Sequence, residues 1–499
     1  MNKNHIALAA VLLVASTFLL IPLRILSHGY TPPDDALRHV GKVMSGKAWS
    51  EVLLLKAEVD PNMDSHPGWH AILAFVHRTF DLDKDSLLVF SVLLLWGLVF
   101  IHFLWVFRYP EAILMVLLVG FLLDKSLFER LLLGRPYLFT LFCLISLLII
   151  FEKLDAASRP YRFSVLVVLI TAFATWVHSA FYLFALPVAA AVLTRRWRTC
   201  AWFSGSIVLG VLLGAVWSGR PLAFLQHQVM HLYWALGQDT PSALLAGEFQ
   251  RGRFPLGFFF VALGIVGVLH LRNCKKGHLL KSPAFFLSII GGLLIVVNRR
   301  FWTDWGFPAY LWWVVASIDT ILASYFKRES YYRGVLVVIV CMACGLIITS
   351  NADKQWEVHP LAEFALLEQR AEDYASCLPG DGGVLYFGEM RYFYPLFYLF
   401  PNASWRYAVG FEPGLMPECD RRVYFAVKAS QTLDAYAPWI EKMQPRDRLL
   451  ILSPASQPPG LKGLNWCFIQ PHQWWGRKNA ESTANSGLTL IVAESNIKE

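Results

Sequence analysis

Charge is what this chain has least of. Only 16% of its 499 residues are Asp, Glu, Lys or Arg, while 56% are hydrophobic. Soluble globular proteins carry about 25% charged residues, so the shortage excludes a large soluble enzyme. No phosphate loop and no Gly-x-Gly-x-x-Gly fingerprint opens a helix after a strand, which leaves nucleotide-sugar use without support. No His-Glu-x-x-His is present, and the eight cysteines show no Cys/His metal spacing. They read mostly as small apolar fillers. The net charge of +8 needs no nucleic acid to explain it, because Lys and Arg cluster in short gaps between apolar runs.

Those apolar runs are what is there, and they predict a polytopic α-helical membrane protein of about 11 transmembrane helices. Residues 6–26 read as an uncleaved first helix, with no small-x-small cleavage site. Single spans follow over 86–107, 111–123, 137–151, 200–217, 254–271, 283–297, 307–326 and 335–349. The run 163–194 is too long for one span and short for two. Trp176, His178 and Ser179 break it, which predicts two short helices meeting inside the protein.

With the N-terminus in the cytoplasm, the basic gaps 108–110, 152–162, 195–198, 272–281 and 327–333 all fall inside, as the positive-inside rule requires. The transmembrane region is then 1–350, with outward loops 27–85, 124–136, 218–253 and 298–306. Residues 351–499 form a C-terminal soluble α/β domain on the same, periplasmic side of a bacterial inner membrane. Its expected elements are helices over 363–374 and 432–443 and strands over 383–387, 448–453 and 488–493. Of Cys377, Cys419 and Cys467, two could pair there.

The outward loops carry the polar residues that composition does not explain. Asp34 and Asp35 stand in TPPDDALRHV, where the bland reading is a helix N-cap with a spare carboxylate. The sharper reading is a general base or a ligand for a divalent cation. His39 follows on the same short helix, and Asp64, His66 and His70 lead the loop back to the membrane. Arg130 and Arg135 lie beside Glu129, and Arg299 and Arg300 beside Asp304, all at outer helix ends. An isolated arginine there is usually snorkelling. Grouped arginines suit a lipid phosphate, which Arg binds bidentately. His178 lies in the broken run and reads as cavity-lining or as a satisfied intramembrane histidine. His227 and His231 have i,i+4 spacing but no acidic third ligand nearby, so a polar loop helix is the better reading.

An apolar first helix, an acidic pair leading into an amphipathic helix and a bundle with large outward loops together resemble the glycosyltransferase C superfamily. DDALRHVGKVMSGKAW is similar to the first-loop pattern of bacterial members. HPGWHAIL resembles the stretch before their second helix, and ERLLLGRPYLFTL the arginine-containing start of their fourth. The protein mannosyltransferase-like and aminoarabinose transferase-like families are nearest. The resemblance covers about the first 350 residues. It implies an integral membrane enzyme that takes sugar from a polyprenyl-phosphate donor to a glycan, lipid or protein acceptor. It also implies a catalytic carboxylate at Asp34 or Asp35. The pair in those families is often Asp-Glu and here is Asp-Asp, which leaves open which carboxylate acts. The competing readings are a lipid-linked sugar flippase or transporter, which would show inverted repeats, and a scaffold, which would leave the acid pair and the arginines without a role.

Overall fold

The computed structural model describes residues 3–60, 64–156, 160–235, 251–271, 277–327, 330–352, 354–357, 360–453, 457–469 and 472–479. Six helices are long and apolar enough to cross a membrane: His5–Ser27, Lys84–Val106, Tyr137–Leu154, Trp197–Trp217, Phe301–Tyr325 and Tyr331–Ile348. Five shorter apolar helices accompany them among the described residues: Glu111–Leu123, Tyr161–Val177, Phe181–Leu193, Leu256–Leu271 and Pro283–Leu294. Each expected span therefore has a helix, but among the described residues only six have the length of a full crossing. A helix of 13 residues such as Glu111–Leu123 reaches about 20 Å into a hydrocarbon core of roughly 30 Å.

The chain forms two compact units. The first comprises Met1–Tyr30, Ser65–Thr79 and Ser86–Glu357, and the second Thr31–Asp64, Phe80–Asp85 and Val358–Glu499. Most of the segment 27–85 thus folds with the C-terminal region.

In the first unit, small residues set the closest helix crossings. A Cβ on Gly210 would stand 2.6 Å from the Val168 carbonyl oxygen, and one on Gly214 2.5 Å from that of Ala172. Only glycine lets the Trp197–Trp217 helix approach Pro160–Val177 so closely. The expected break in 163–194 is present: the first helix ends at Val177, and Phe181–Phe184 forms a 3₁₀ turn before Ala185–Leu193. Arg333 and Glu111, both fully buried, join two further helices through paired hydrogen bonds of 2.7 and 2.9 Å. Cys341 and Cys344 have Cys-x-x-Cys spacing, but both are free thiols buried in the Tyr331–Ile348 helix.

The second unit is built on a five-stranded sheet in the order β2-β1-β3-β5-β4. The strands are β1 Val384–Phe387, β2 Arg406–Tyr407, β3 Arg448–Leu452, β4 Leu464–Ile469 and β5 Gln473–Lys478. β1 runs parallel to β2 and β3, while β5 is antiparallel to β3 and β4. The expected strands at 383–387 and 448–453 are β1 and β3. The helix expected over 363–374 shrinks to Ala365–Gln369 and continues as turns. Glu372 and Asp373 would have placed negative charge at its negative end. The helix expected over 432–443 is a 3₁₀ turn, Leu433–Tyr436, followed by Ala437–Lys442. The strand expected over 488–493 lies outside the described residues. Cys377 and Cys467 form a disulfide, which leaves Cys419 free and exposed.

Candidate functional site

The acid pair belongs to the second unit. Asp34 is the N-cap of the Asp35–Ser45 helix, and its Oδ1 accepts from the Asp35 backbone N–H at 2.6 Å. The capping role read from the sequence is therefore real for Asp34. Asp35 stands one residue later, in the first helical turn, with its Oδ1 3.0 Å from Arg38 Nη2. Arg38 is 4% exposed and His39 1% exposed. The same Nη2 lies 3.3 Å from His39 Nε2. His39, expected among the substrate-binding residues, thus lies inside the fold behind Arg38. Asp64, at the far end of this stretch, is half-buried. Burial lowers the Lys42 ammonium from its usual range, with the charges of Asp64 and Glu51 opposing the shift. The run Gly41 to Lys47 has phosphate-loop spacing, but Ala48 replaces the Ser or Thr. Gly41 is mid-helix, and a Cβ there would meet Phe397 at 3.0 Å.

The basic groups belong to the first unit. Asp304 is 4% exposed and receives Arg130 Nη2 at 2.5 Å, Arg300 Nε at 2.8 Å and the Thr303 hydroxyl at 2.8 Å. It sits in a wide π-type turn, Phe301–Gly306, a form of helix often found at functional sites. Gly291 allows that turn to pack: a Cβ there would stand 2.4 Å from Gly306 Cα. Arg130 and Arg300, expected to bind phosphate, are thus turned onto one buried carboxylate. Arg299 Nη2 donates to Ser126 Oγ at 2.8 Å, and Ser126 donates to Asp124 Oδ1 at 2.6 Å. Asp124 also caps the short Lys125–Leu131 helix. Burial, and then the Asp124 charge, raise the Glu129 carboxyl above the usual carboxylate range. Arg135 is half-buried just before the Tyr137 helix.

Arg299 lines a cavity of about 490 Å³ together with Arg251, Arg253, Asp124, Phe254 and Trp302. The Arg-Gly-Arg strap is pinned by Gly252, whose N–H donates to the Ile295 carbonyl at 2.9 Å. A Cβ on Gly252 would stand 2.6 Å from the Ile295 side chain. Arg251 and Arg253 are exposed, and neither pairs with a carboxylate among the described residues. Three guanidiniums against one carboxylate give this cavity a net positive lining. The sequence reading placed neither Arg251 nor Arg253 in a site. The Arg-Gly-Arg triplet was the available signal.

A third cluster in the first unit is made of histidines. The His66 ring lies 5.6 Å from His178 and 6.4 Å from His70, centroid to centroid. His178 Nδ1 is 3.0 Å from the Thr140 hydroxyl. Gly68 holds the Pro67–Phe80 helix against Trp176, where a Cβ would come within 2.6 Å. His66 and His178, far apart in sequence, are thereby brought together. His227 lies on the Pro221–Ala235 helix. Among the described residues no three His, Cys, Asp or Glu side chains converge to hold a metal ion, so no ligand set is assigned to a divalent cation.

The fold is similar to that of solved archaeal oligosaccharyltransferases. The archaeal oligosaccharyltransferase AglB from Archaeoglobus fulgidus, solved in complex with an inhibitory peptide and a dolichol-phosphate, superposes with a TM-score of 0.53 at 11% identity. That alignment covers 88% of this chain and 69% of the AglB chain. A crystal structure of the Archaeoglobus fulgidus oligosaccharyltransferase in complex with Zn and sulfate aligns at 12% identity with a TM-score of 0.49, over 89% of this chain and 67% of that one. No family profile matches the sequence. No curated protein matches it either.

Proposed function

We propose that this protein is a membrane glycosyltransferase that moves a sugar from a polyprenyl-phosphate donor to an acceptor on the periplasmic face. The observation that carries the proposal is the arginine-lined cavity at Arg251, Arg253 and Arg299 within a glycosyltransferase C fold. AglB was solved with a dolichol-phosphate, and a polyprenyl phosphate has the same headgroup chemistry. In the reaction an acceptor oxygen attacks the anomeric carbon, the bond from that carbon to the phosphate oxygen breaks, and polyprenyl phosphate leaves. Negative charge grows on the leaving phosphate, and guanidiniums placed there stabilise it. Asp34 or Asp35 accepts the acceptor's proton or stabilises the oxocarbenium-like centre. Arg130 and Arg300, held on Asp304, order the segment that presents Arg299. Glu129, Arg135 and the His66, His70 and His178 cluster are assigned to the polar lining of the donor path.

The disulfide Cys377–Cys467 supports an oxidising, periplasmic location for the second unit. The test is donor dependence. Arg299→Ala, alone and combined with Arg251→Ala, is expected to raise the KM for a polyprenyl-phosphate-linked sugar by about tenfold or more, the worth of one charge-assisted hydrogen bond. An unchanged KM in the double variant would remove the cavity from the donor site.

A further inference from the structure

We infer that the C-terminal sheet unit positions the acid pair, and that it does so through Arg38 and Phe411. The inference rests on the role proposed above for Asp35. It assigns the 351–499 region a function in the transfer reaction.

Arg38 is a buried guanidinium set among a carboxylate, the His39 imidazole and two aromatic rings. Its Nη2 lies 3.0 Å from the Asp35 carboxylate. Its guanidinium carbon lies 4.0 Å from the centroid of the Phe411 ring. Trp49, whose centroid is 5.9 Å from it, stacks edge-on against Phe411 at 4.8 Å. The Nε of Arg38 is buried and makes no hydrogen bond. Only one face of the head is thus held by hydrogen bonding, and the aromatic surface beneath it fixes where the cation stands. Asp35, half-buried, is held by the same cation through Nη2.

Phe411 is in turn fixed by the sheet. It follows β2, at the start of a segment that the first loop pairs with directly. Leu53 bridges to Tyr407 in parallel fashion, the Leu54 N–H donates to the Tyr407 carbonyl at 2.9 Å, and the Lys56 N–H to that of Leu415 at 2.9 Å. A Cβ on Gly410 would lie 2.8 Å from Leu53, so the two segments are in close contact. The Asp35–Ser45 helix is seated next to this, with Gly41 on the Phe393–Leu399 helix. Lys47 Nζ donates to the Ala403 carbonyl at its far end. The helix that carries the acid pair is therefore attached to the sheet unit at Gly41 and just beyond its end at Lys47, and Arg38, which rests on Phe411, reaches the Asp35 carboxylate. Arg38 is a positioning residue, and Phe411 is the platform on which it rests.

The experiment uses the full chain and three variants: Phe411→Leu, which keeps volume and removes the π face, Phe411→Tyr, which keeps it, and Arg38→Met. Amide exchange over Ala36–Gly41 is read first. It is expected to rise about tenfold in Phe411→Leu and Arg38→Met and to stay at the wild-type level in Phe411→Tyr. Release of polyprenyl phosphate from a panel of polyprenyl-phosphate-linked hexoses and pentoses is read second. There kcat is expected to fall about tenfold in Phe411→Leu and Arg38→Met with donor KM unchanged, and Phe411→Tyr to match wild type. Unchanged exchange and unchanged kcat in Phe411→Leu, or equal loss in Phe411→Tyr and Phe411→Leu, overturns the inference. Asp35→Asn runs alongside. If it keeps full activity, or if wild type turns over no panel member, the proposed role of Asp35 falls, and the exchange result alone then decides whether Phe411 holds the helix.

Discussion

At the scale of single residues, the chain separates charges that are used up structurally from charges left available. Asp304 takes two arginines and a hydroxyl, and its 4% exposure leaves little room for water to replace them. Removing one member of such a buried set strands the others. Asp304→Ala is expected to lower stability by about 3 kcal/mol, read as a fall in the thermal midpoint of the detergent-solubilised protein; an unchanged midpoint would mean that Arg130 and Arg300 find other partners. The residue types of the site were legible in the sequence, since grouped arginines and an acid pair beside apolar runs have few structural uses. Their pairing was not. Whether Arg130 meets Asp304, at a separation of 174 residues, or whether His39 faces outward or inward, depends on helix rotation and packing that local pattern does not encode.

At the scale of elements, hydrophobic runs predicted the apolar helices of the described residues, because length and apolarity are local properties. The break at Val177 was equally readable, since a polar His178–Ser179 pair inside a long apolar run has to be housed somewhere. The sheet unit was harder to read. Its strands are short and buried, and a buried strand resembles a piece of core helix in sequence. The Phe393–Leu399 helix, buried along its whole length, shows no amphipathic period at all. Helix crossings can be tested within one element. On the Trp197–Trp217 helix, Gly214 meets a carbonyl oxygen while Gly205 has nothing within 4 Å. Gly214→Leu is expected to lose about 1–3 kcal/mol or more through overpacking, and Gly205→Leu to lose little. Equal thermal midpoints for the two variants would contradict the crossing.

At the scale of the whole molecule, the residues that make up the second unit change how the C-terminal region is understood. It is not an appended module, because Thr31–Asp64 folds within it. Its orientation can be tested by its own chemistry. Cys419 is the one exposed free cysteine among the described residues, and the other free thiols are buried. In a Cys274→Ser background, a membrane-impermeant maleimide is expected to label Cys419 from the periplasmic side of intact cells. Labelling only after the cytoplasmic membrane is breached would reverse the proposed topology.

The most direct test of the account is transfer activity in Asp34→Asn and Asp35→Asn, measured as release of polyprenyl phosphate from a lipid-phosphate-linked sugar in reconstituted vesicles. At least one of the two is expected to lose about 10²–10⁴-fold in kcat, the range for a group that moves a proton in the transition state, while the protein stays folded. Full activity in both would contradict the proposal that this pair carries the chemistry.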